Sequence, residues 1–224
     1  MFHPWHELEA GAAAPEVMNL VVEIPRGSRN KYELDKKTGM YRLDRVLYSA
    51  VHYPGEYGFF PRTYAQDDDP LDGLVLVTEP TFPGCVIEVR PVGIFRMTDR
   101  DEMDEKILCV PSRDPLYEHF HDIGDVAPHY LKEVEHFFTV YKDLEGVRVH
   151  PLGWEDRAAA RATIVEAMAR YALKRRQEAA ADLARTASEA REGYELQGES
   201  AQCPVPRNSR IVLGTGHWAL GTGH

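Results

Sequence analysis

Cysteine is scarce in this chain: Cys85, Cys109 and Cys203 are odd in number, widely spaced and without a C-x-x-C. That argues against a disulfide framework and a structural zinc site, so buried or incidental thiols are expected. Long apolar runs are missing too. Stretches such as Leu74-Val75-Leu76-Val77 are strand-sized, far short of the roughly 20 residues that cross a bilayer, so a soluble chain with no membrane partner is expected. The opening Met1-Phe2-His3-Pro4-Trp5-His6-Glu7 has no basic segment followed by an apolar run. No secretory signal is therefore visible, and a cytoplasmic location is the default expectation. There is no Walker A loop, no G-x-G-x-x-G after a strand, no H-E-x-x-H and no G-x-S-x-G. A basic surplus is also lacking. Thirty-six Asp and Glu stand against 26 Lys and Arg, a formal charge of −10, which excludes a broad nucleic-acid binder because nothing would displace counterions from phosphates.

What remains is a 224-residue chain, 43% hydrophobic and 28% charged, which is ordinary globular usage for one domain with an appendage. From Asn19 to about Val110 it reads as short strands between Gly, Pro and Asp turns. Candidate strands are Leu20 to Ile24, Lys31 to Leu34, Tyr41 to Leu47, Leu74 to Thr78, Val86 to Gly93 and Lys106 to Val110. Their close spacing favours a small antiparallel sheet or barrel. Helices follow. Pro128 suits a first helical turn, and Leu131, Val134, Phe137, Phe138 and Tyr141 repeat at helical steps. A second helix is expected from about Glu155, with Ile164, Val165, Met168, Tyr171 and Ala172 as its stripe, continuing towards Gly193. Beyond that, Gln197 to Arg210 is polar and contains Pro, and Gly214-Thr215-Gly216-His217 recurs as Gly221-Thr222-Gly223-His224. These residues read as a tail.

The segment Gln66-Asp67-Asp68-Asp69-Pro70-Leu71-Asp72-Gly73 holds four Asp in six residues. Carboxylates so confined repel one another, so one protonates or a cation binds among them. A solvated turn would use the same residue types. An EF-hand loop is disfavoured: counted from Asp67, its sixth position is Asp72 where Gly is required and its twelfth is Thr78 where Glu is required. Oxygen ligands without His or Cys favour a hard cation, Mg²⁺ or Mn²⁺, over zinc.

Other segments mix acids with cations. Lys31 and Glu33 are two apart on a candidate strand and share a face, as do Leu43 and Arg45. Asp99 to Lys106 forms a second acidic turn ending in a lysine, and Tyr141-Lys142 closes the first helix, where a cation suits the helix dipole. Each has a plain surface reading as an ion pair or a capping charge. Together they supply both kinds of group that a metal–phosphate complex requires.

With these residues in view, the chain resembles the soluble inorganic pyrophosphatases of the Mg²⁺-dependent, prokaryotic type known as family I. Asp67-Asp68-Asp69-Pro70-Leu71-Asp72-Gly73 fits the family signature. Around it lie Val22-Glu23-Ile24-Pro25, Asn30-Lys31-Tyr32-Glu33, Leu43-Asp44-Arg45, Tyr53-Pro54-Gly55-Glu56-Tyr57-Gly58-Phe59, Arg90-Pro91-Val92-Gly93, His136-Phe137-Phe138, Tyr141-Lys142-Asp143-Leu144-Glu145 and Gly153-Trp154. The likeness covers about residues 16–176. It implies a lead segment over 1–15, a pyrophosphatase domain over 16–176 and a C-terminal extension over 177–224.

The fold implied is α+β and mainly β: a five-stranded OB-like closed barrel with two main helices packed outside. The reaction implied is hydrolysis of pyrophosphate to two orthophosphates, that of an inorganic diphosphatase. By resemblance, Asp67, Asp72 and Asp104 are metal ligands, Asp99 and Glu33 coordinate ions arriving with substrate, and Asp69 is the base that deprotonates the attacking water. Lys31, Arg45, Tyr141 and Lys142 would hold phosphoryl oxygens. Tyr57 joins Asp69 at the catalytic centre and, with Tyr53, lines the cavity, while Glu23 and Lys106 support the carboxylates. The cofactor implied is Mg²⁺, with Mn²⁺ or another divalent ion as a substitute, and the assembly implied is a homohexamer. Seven of these acids against four bases leave a local −3, which two divalent ions would turn to about +1.

Three positions depart from the family pattern. Arg100 stands where many bacterial members carry an acid, Asp68 where Gly is commonest, and Val140 where some members have a second interface histidine beside His136. The competing readings are a metal-dependent hydrolase of nucleotides or other phosphate esters, for which no base-binding motif is found, and a non-catalytic OB module. The clustered Asp would repel the nucleic acid that such a module binds.

Overall fold

Strand β1 (Met18–Ile24) is buried along almost its whole length because it pairs on both edges: antiparallel to β4 (Glu56–Phe59) and antiparallel to the start of β6 (Val86–Asp99). The computed structural model describes residues 2–100 and 102–199, with side chains through 189. Strand β4 pairs antiparallel with β5 (Asp72–Val75), β5 runs parallel to β7 (Glu102–Pro111), and β7 pairs antiparallel with β6. The order β1-β4-β5-β7-β6 thus returns to β1 and closes a five-stranded ring, as expected. Strand β8 (Val149–Glu155) adds to the far half of β6, and β2 (Asn30–Leu34) and β3 (Tyr41–Val46) form a separate hairpin.

Successive strand residues point to opposite faces, and each face has its own helix. Leu74, Leu108, Val110 and Phe95 join Val134, Phe137 and Phe138 of α1 (Pro128–Val140). Val75, Ile107, Cys109 and Ile94 join Ala160, Ile164 and Ala167 of α2 (Arg157–Glu199). Helix α1 opens with Pro at its first position, where no N–H is needed. Gly73 is required by packing: a Cβ there would meet the Phe60 ring at 2.9 Å and the Leu20 side chain closer still. The residue beside Asp72 is therefore locked into the core. Helix α2 crosses between two compact units, Met1–Glu178 and a second from Ala179, whose described part is helical to Glu199.

Several local expectations change. Glu56–Phe59, absent from the candidate strands, is a strand buried at all four residues, so it has no polar alternation to reveal it. Strand β8 was also missed, because Pro151 and Gly153 speak against a strand; Pro151 is tolerated here on a sheet edge beside a bulge. Strand β5 lies at Asp72–Val75 instead of Leu74 to Thr78, and β6 runs on to Asp99, bending at a bulge between Pro91 and Gly93. The second helix continues past Gly193 to Glu199. The expected tail from residue 200 on, His217 and His224 included, and Cys203 lie outside the described residues. Of the other cysteines, Cys109 is buried and Cys85 half-buried. None of the described helices is long and apolar enough to cross a membrane.

Candidate active site

The parallel register of β5 and β7 sets Asp72 beside Lys106, and the two-residue period of β7 puts Asp104 on the same face as Lys106. Lys106 is only 4% exposed, and its ammonium pairs with Asp72 and donates to Asp104 Oδ1 at 2.5 Å. Burial alone would lower its pKa, but the Asp104 and Asp72 carboxylates outweigh that and hold it protonated. From the other side, Tyr57 Oη donates to Asp72 Oδ2 at 2.5 Å, and its ring packs against Tyr53 with centroids 5.4 Å apart. Burial, then the Asp72 and Asp104 charges, push the Tyr57 phenol up, so it stays a donor at neutral pH.

Asp67, Asp69 and Asp72 share one cavity of about 170 Å³ with Glu23, Lys31, Glu33 and Tyr57. The Asp69 N–H donates to Asp67 Oδ1 at 3.0 Å, and Ala65 N–H to Asp69 O at 2.7 Å, folding the acidic loop on itself. Burial raises Asp67 above the usual carboxylate range. Glu23 is pushed up to about 8 by burial and then by Asp72, while its Oε1 accepts from Leu34 N at 2.7 Å and ties β1 to the hairpin.

A second group forms around Asp99. Met97 faces Asp104 across β6 and β7, so Asp99, two residues on, shares their face. Lys142, just past α1, pairs with Asp99, and its Nζ lies 5.2 Å from the Tyr141 ring centre. Burial and surrounding acids keep the Tyr141 phenol protonated. Arg45 is held by Glu145 at 3.0 Å and by Asp44, and Lys31 by Glu33 and by Asp44 at 3.6 Å. Among the described residues, no ion pair joins Arg45 or Lys142 to the acidic loop. Arg100 is exposed, at a φ of 51° just beyond Asp99.

Sequence reasoning missed Trp5, Leu34 and Lys36 in this cavity. Lys36, in the turn between β2 and β3, pairs with Asp69, and Trp5 closes part of the wall. Lys36-Lys37 reads as a solvated turn, and no local pattern brings Trp5 near residue 69. Trp5 is 3% exposed and its Nε1 donates to Thr63 O at 2.9 Å.

Among the described residues, no three acid, His or Cys side chains are drawn up around one point. Lysines sit at the carboxylates instead: Lys106 on Asp72 and Asp104, Lys36 on Asp69, Lys142 on Asp99. The donor set nevertheless fits a hard divalent cation. It is all oxygen, its acids outnumber its cations, and Asp99 Oδ1 is buried without a hydrogen-bond partner.

A family model described as inorganic pyrophosphatase matches residues 20–172. An inorganic pyrophosphatase of Haloferax volcanii is 50% identical over 172 residues, 76% of this chain and 97% of that one. One from Methanosarcina mazei is 54% identical over 156 residues, 70% of this chain and 92% of its own. The crystal structure of inorganic pyrophosphatase from Thermus thermophilus superimposes with a TM-score of 0.72 at 49% identity, covering 73% of this chain and 96% of that one.

Proposed function

This chain belongs to the inorganic pyrophosphatase family and hydrolyses pyrophosphate to two orthophosphates, and from that premise we propose which residues do the work. Asp69 is the general base. Asp67 and Asp72 on the cavity wall, with Asp104 linked to Asp72 through Lys106, hold divalent cations, and Asp99 and Glu33 hold those that enter with substrate. The observation that carries this reading is the cavity shared by Asp67, Asp69, Asp72, Lys31 and Glu33. Family members depend on a metal. We propose Mg²⁺, with Mn²⁺ as a substitute, because oxygen-only donors suit both. Bound divalent ions would polarise phosphoryl oxygens and make water more acidic.

The chain's own groups do the rest. Asp69 lies on the cavity wall, its N–H bonded to Asp67, so base and ligand move together. Lys31, Arg45, Tyr141 and Lys142 hold the phosphoryl oxygens and offset charge that builds on the leaving phosphate. Each cation is paired with an acid, and substrate exchanges one anion for another. Tyr57 aims the Asp72 carboxylate, Lys106 keeps Asp72 and Asp104 from repelling each other, and Glu23 and Tyr53 buttress the wall.

Cytoplasmic location and a homohexamer complete the reading. His136 and Val140 lie one turn apart on α1, where the family places interface histidines, so the contacts there are expected to differ.

The test is phosphate release from pyrophosphate with and without Mg²⁺, for wild type and Asp69→Asn. Mg²⁺-dependent turnover that drops by a factor of about a hundred or more in the variant is the expected result. Full activity in Asp69→Asn removes the base assignment, and turnover independent of divalent ions removes the metal reading.

A further inference from the structure

We propose that Lys174 is a positioning residue for Asp67 and Asp69, acting through Asp68 between them. One face of α2, at three- and four-residue steps, grips the strand of chain that leads into the acidic loop. The Ala167 carbonyl accepts from Tyr64 N–H at 3.0 Å, Arg170 Nε donates to Tyr64 O at 2.9 Å, and Tyr171 stacks on the Tyr64 ring with centroids 5.8 Å apart. Lys174 is the last contact on this face. Its Nζ sits 4.2 Å from the Tyr64 ring centre and donates to Asp68 Oδ1 at 2.7 Å.

Asp68 has a φ of 63°, the left-handed region, where Asp is tolerated better than most residues. That turn lets Asp67 and Asp69 line the cavity while the residue between them reaches α2. The ion pair is exposed, 80% at Asp68 and 36% at Lys174, so it contributes little to global stability. Its consequence is local: it fixes the tip of a loop whose two flanking carboxylates, one a ligand and one a base, must face the same cavity. Lys174 lies on α2 two residues past the end of the family match at residue 172.

The proposal rests on the reading of Asp67 as a metal ligand, and the test separates the two. The full chain is titrated calorimetrically with MgCl₂ alone, without substrate, and its Mg²⁺ dependence of turnover is measured in parallel. Lys174→Met should weaken Mg²⁺ binding by about three-fold, raise the Mg²⁺ needed for half-maximal turnover by a similar factor, and leave kcat at saturating Mg²⁺ almost unchanged. Lys174→Arg should restore the affinity. Asp68→Gly, unstrained at this φ, should reproduce the defect, and adding Lys174→Met to it should change nothing more. Wild-type Mg²⁺ affinity in Lys174→Met with only a lower Tm overturns the proposal, leaving a stabilising strut. A further loss in the Asp68→Gly background also overturns it, because the effect then runs through the Tyr64 ring. Asp67→Asn decides the underlying reading: unchanged Mg²⁺ affinity there removes the ligand and this proposal with it. A loss there with none in Lys174→Met removes this proposal alone.

Discussion

The Lys36 ammonium is paired with the Asp69 carboxylate across the gap between the β2–β3 turn and the acidic loop, joining residues 33 apart in sequence. Both side chains are about half exposed, 50% and 49%, so the pair is open to exchange with an incoming anion. His3 Nε2 lies 3.0 Å from the Lys36 carbonyl and anchors the turn that presents this lysine.

Lys36→Met therefore removes a cation that pyrophosphate meets on entry. The KM for pyrophosphate should rise by about ten-fold, the equivalent of about 1.4 kcal/mol of lost attraction, with kcat nearly unchanged. Steady-state kinetics at saturating Mg²⁺ and two salt concentrations check it, because the difference from wild type should shrink as salt screens the charge.

Lys106 is buried between two carboxylates, and its removal leaves them facing each other without a counter-charge. Lys106→Met should destabilise the metal-free chain by about 3 kcal/mol, lowering Tm by roughly 10 °C for a unit of this size. Added Mg²⁺ should raise Tm more in the variant than in wild type, since a cation then relieves a larger repulsion. Thermal denaturation with EDTA and with MgCl₂ reads both effects.

His6 packs between Trp5 and Tyr171, with Nδ1 3.0 Å from the Tyr171 hydroxyl. Burial, then His3 and Arg175, lower its pKa. Below the ordinary histidine pKa of 6.5 the unfolded chain binds this proton and the folded chain resists it. The stability contributed by a neutral His6 is thus complete above that value and is lost as pH falls below it. His6→Phe removes this titration, so the fall in Tm between pH 7.5 and pH 5 should be smaller in the variant than in wild type.

The acidic loop was legible because its chemistry is local: four Asp within six residues stand out with no tertiary knowledge. The helices were legible from their stripes, as Val134, Phe137 and Phe138 show. Strands failed where alternation fails. Glu56–Phe59 is buried on both sides and Val149–Glu155 breaks composition rules at an edge. Lys36, Trp5 and Lys174 were illegible for a different reason. Each is brought in by tertiary contact, Lys36 and Trp5 to the cavity wall and Lys174 to Asp68, from a turn, a lead segment and a helix face that carry no catalytic signature.

Strands β5 and β7 run parallel, and parallel neighbours cannot be joined by a tight turn. Between them the chain must travel out along β6, which itself lies against β1. Asp72 consequently waits for a lysine made 34 residues later. A nascent chain that stops short of β7 owns every aspartate of the acidic loop and neither Lys106 nor Asp104. The order of synthesis thus supplies the counter-charge of Asp69, Lys36, before the acidic loop and that of Asp72, Lys106, after it.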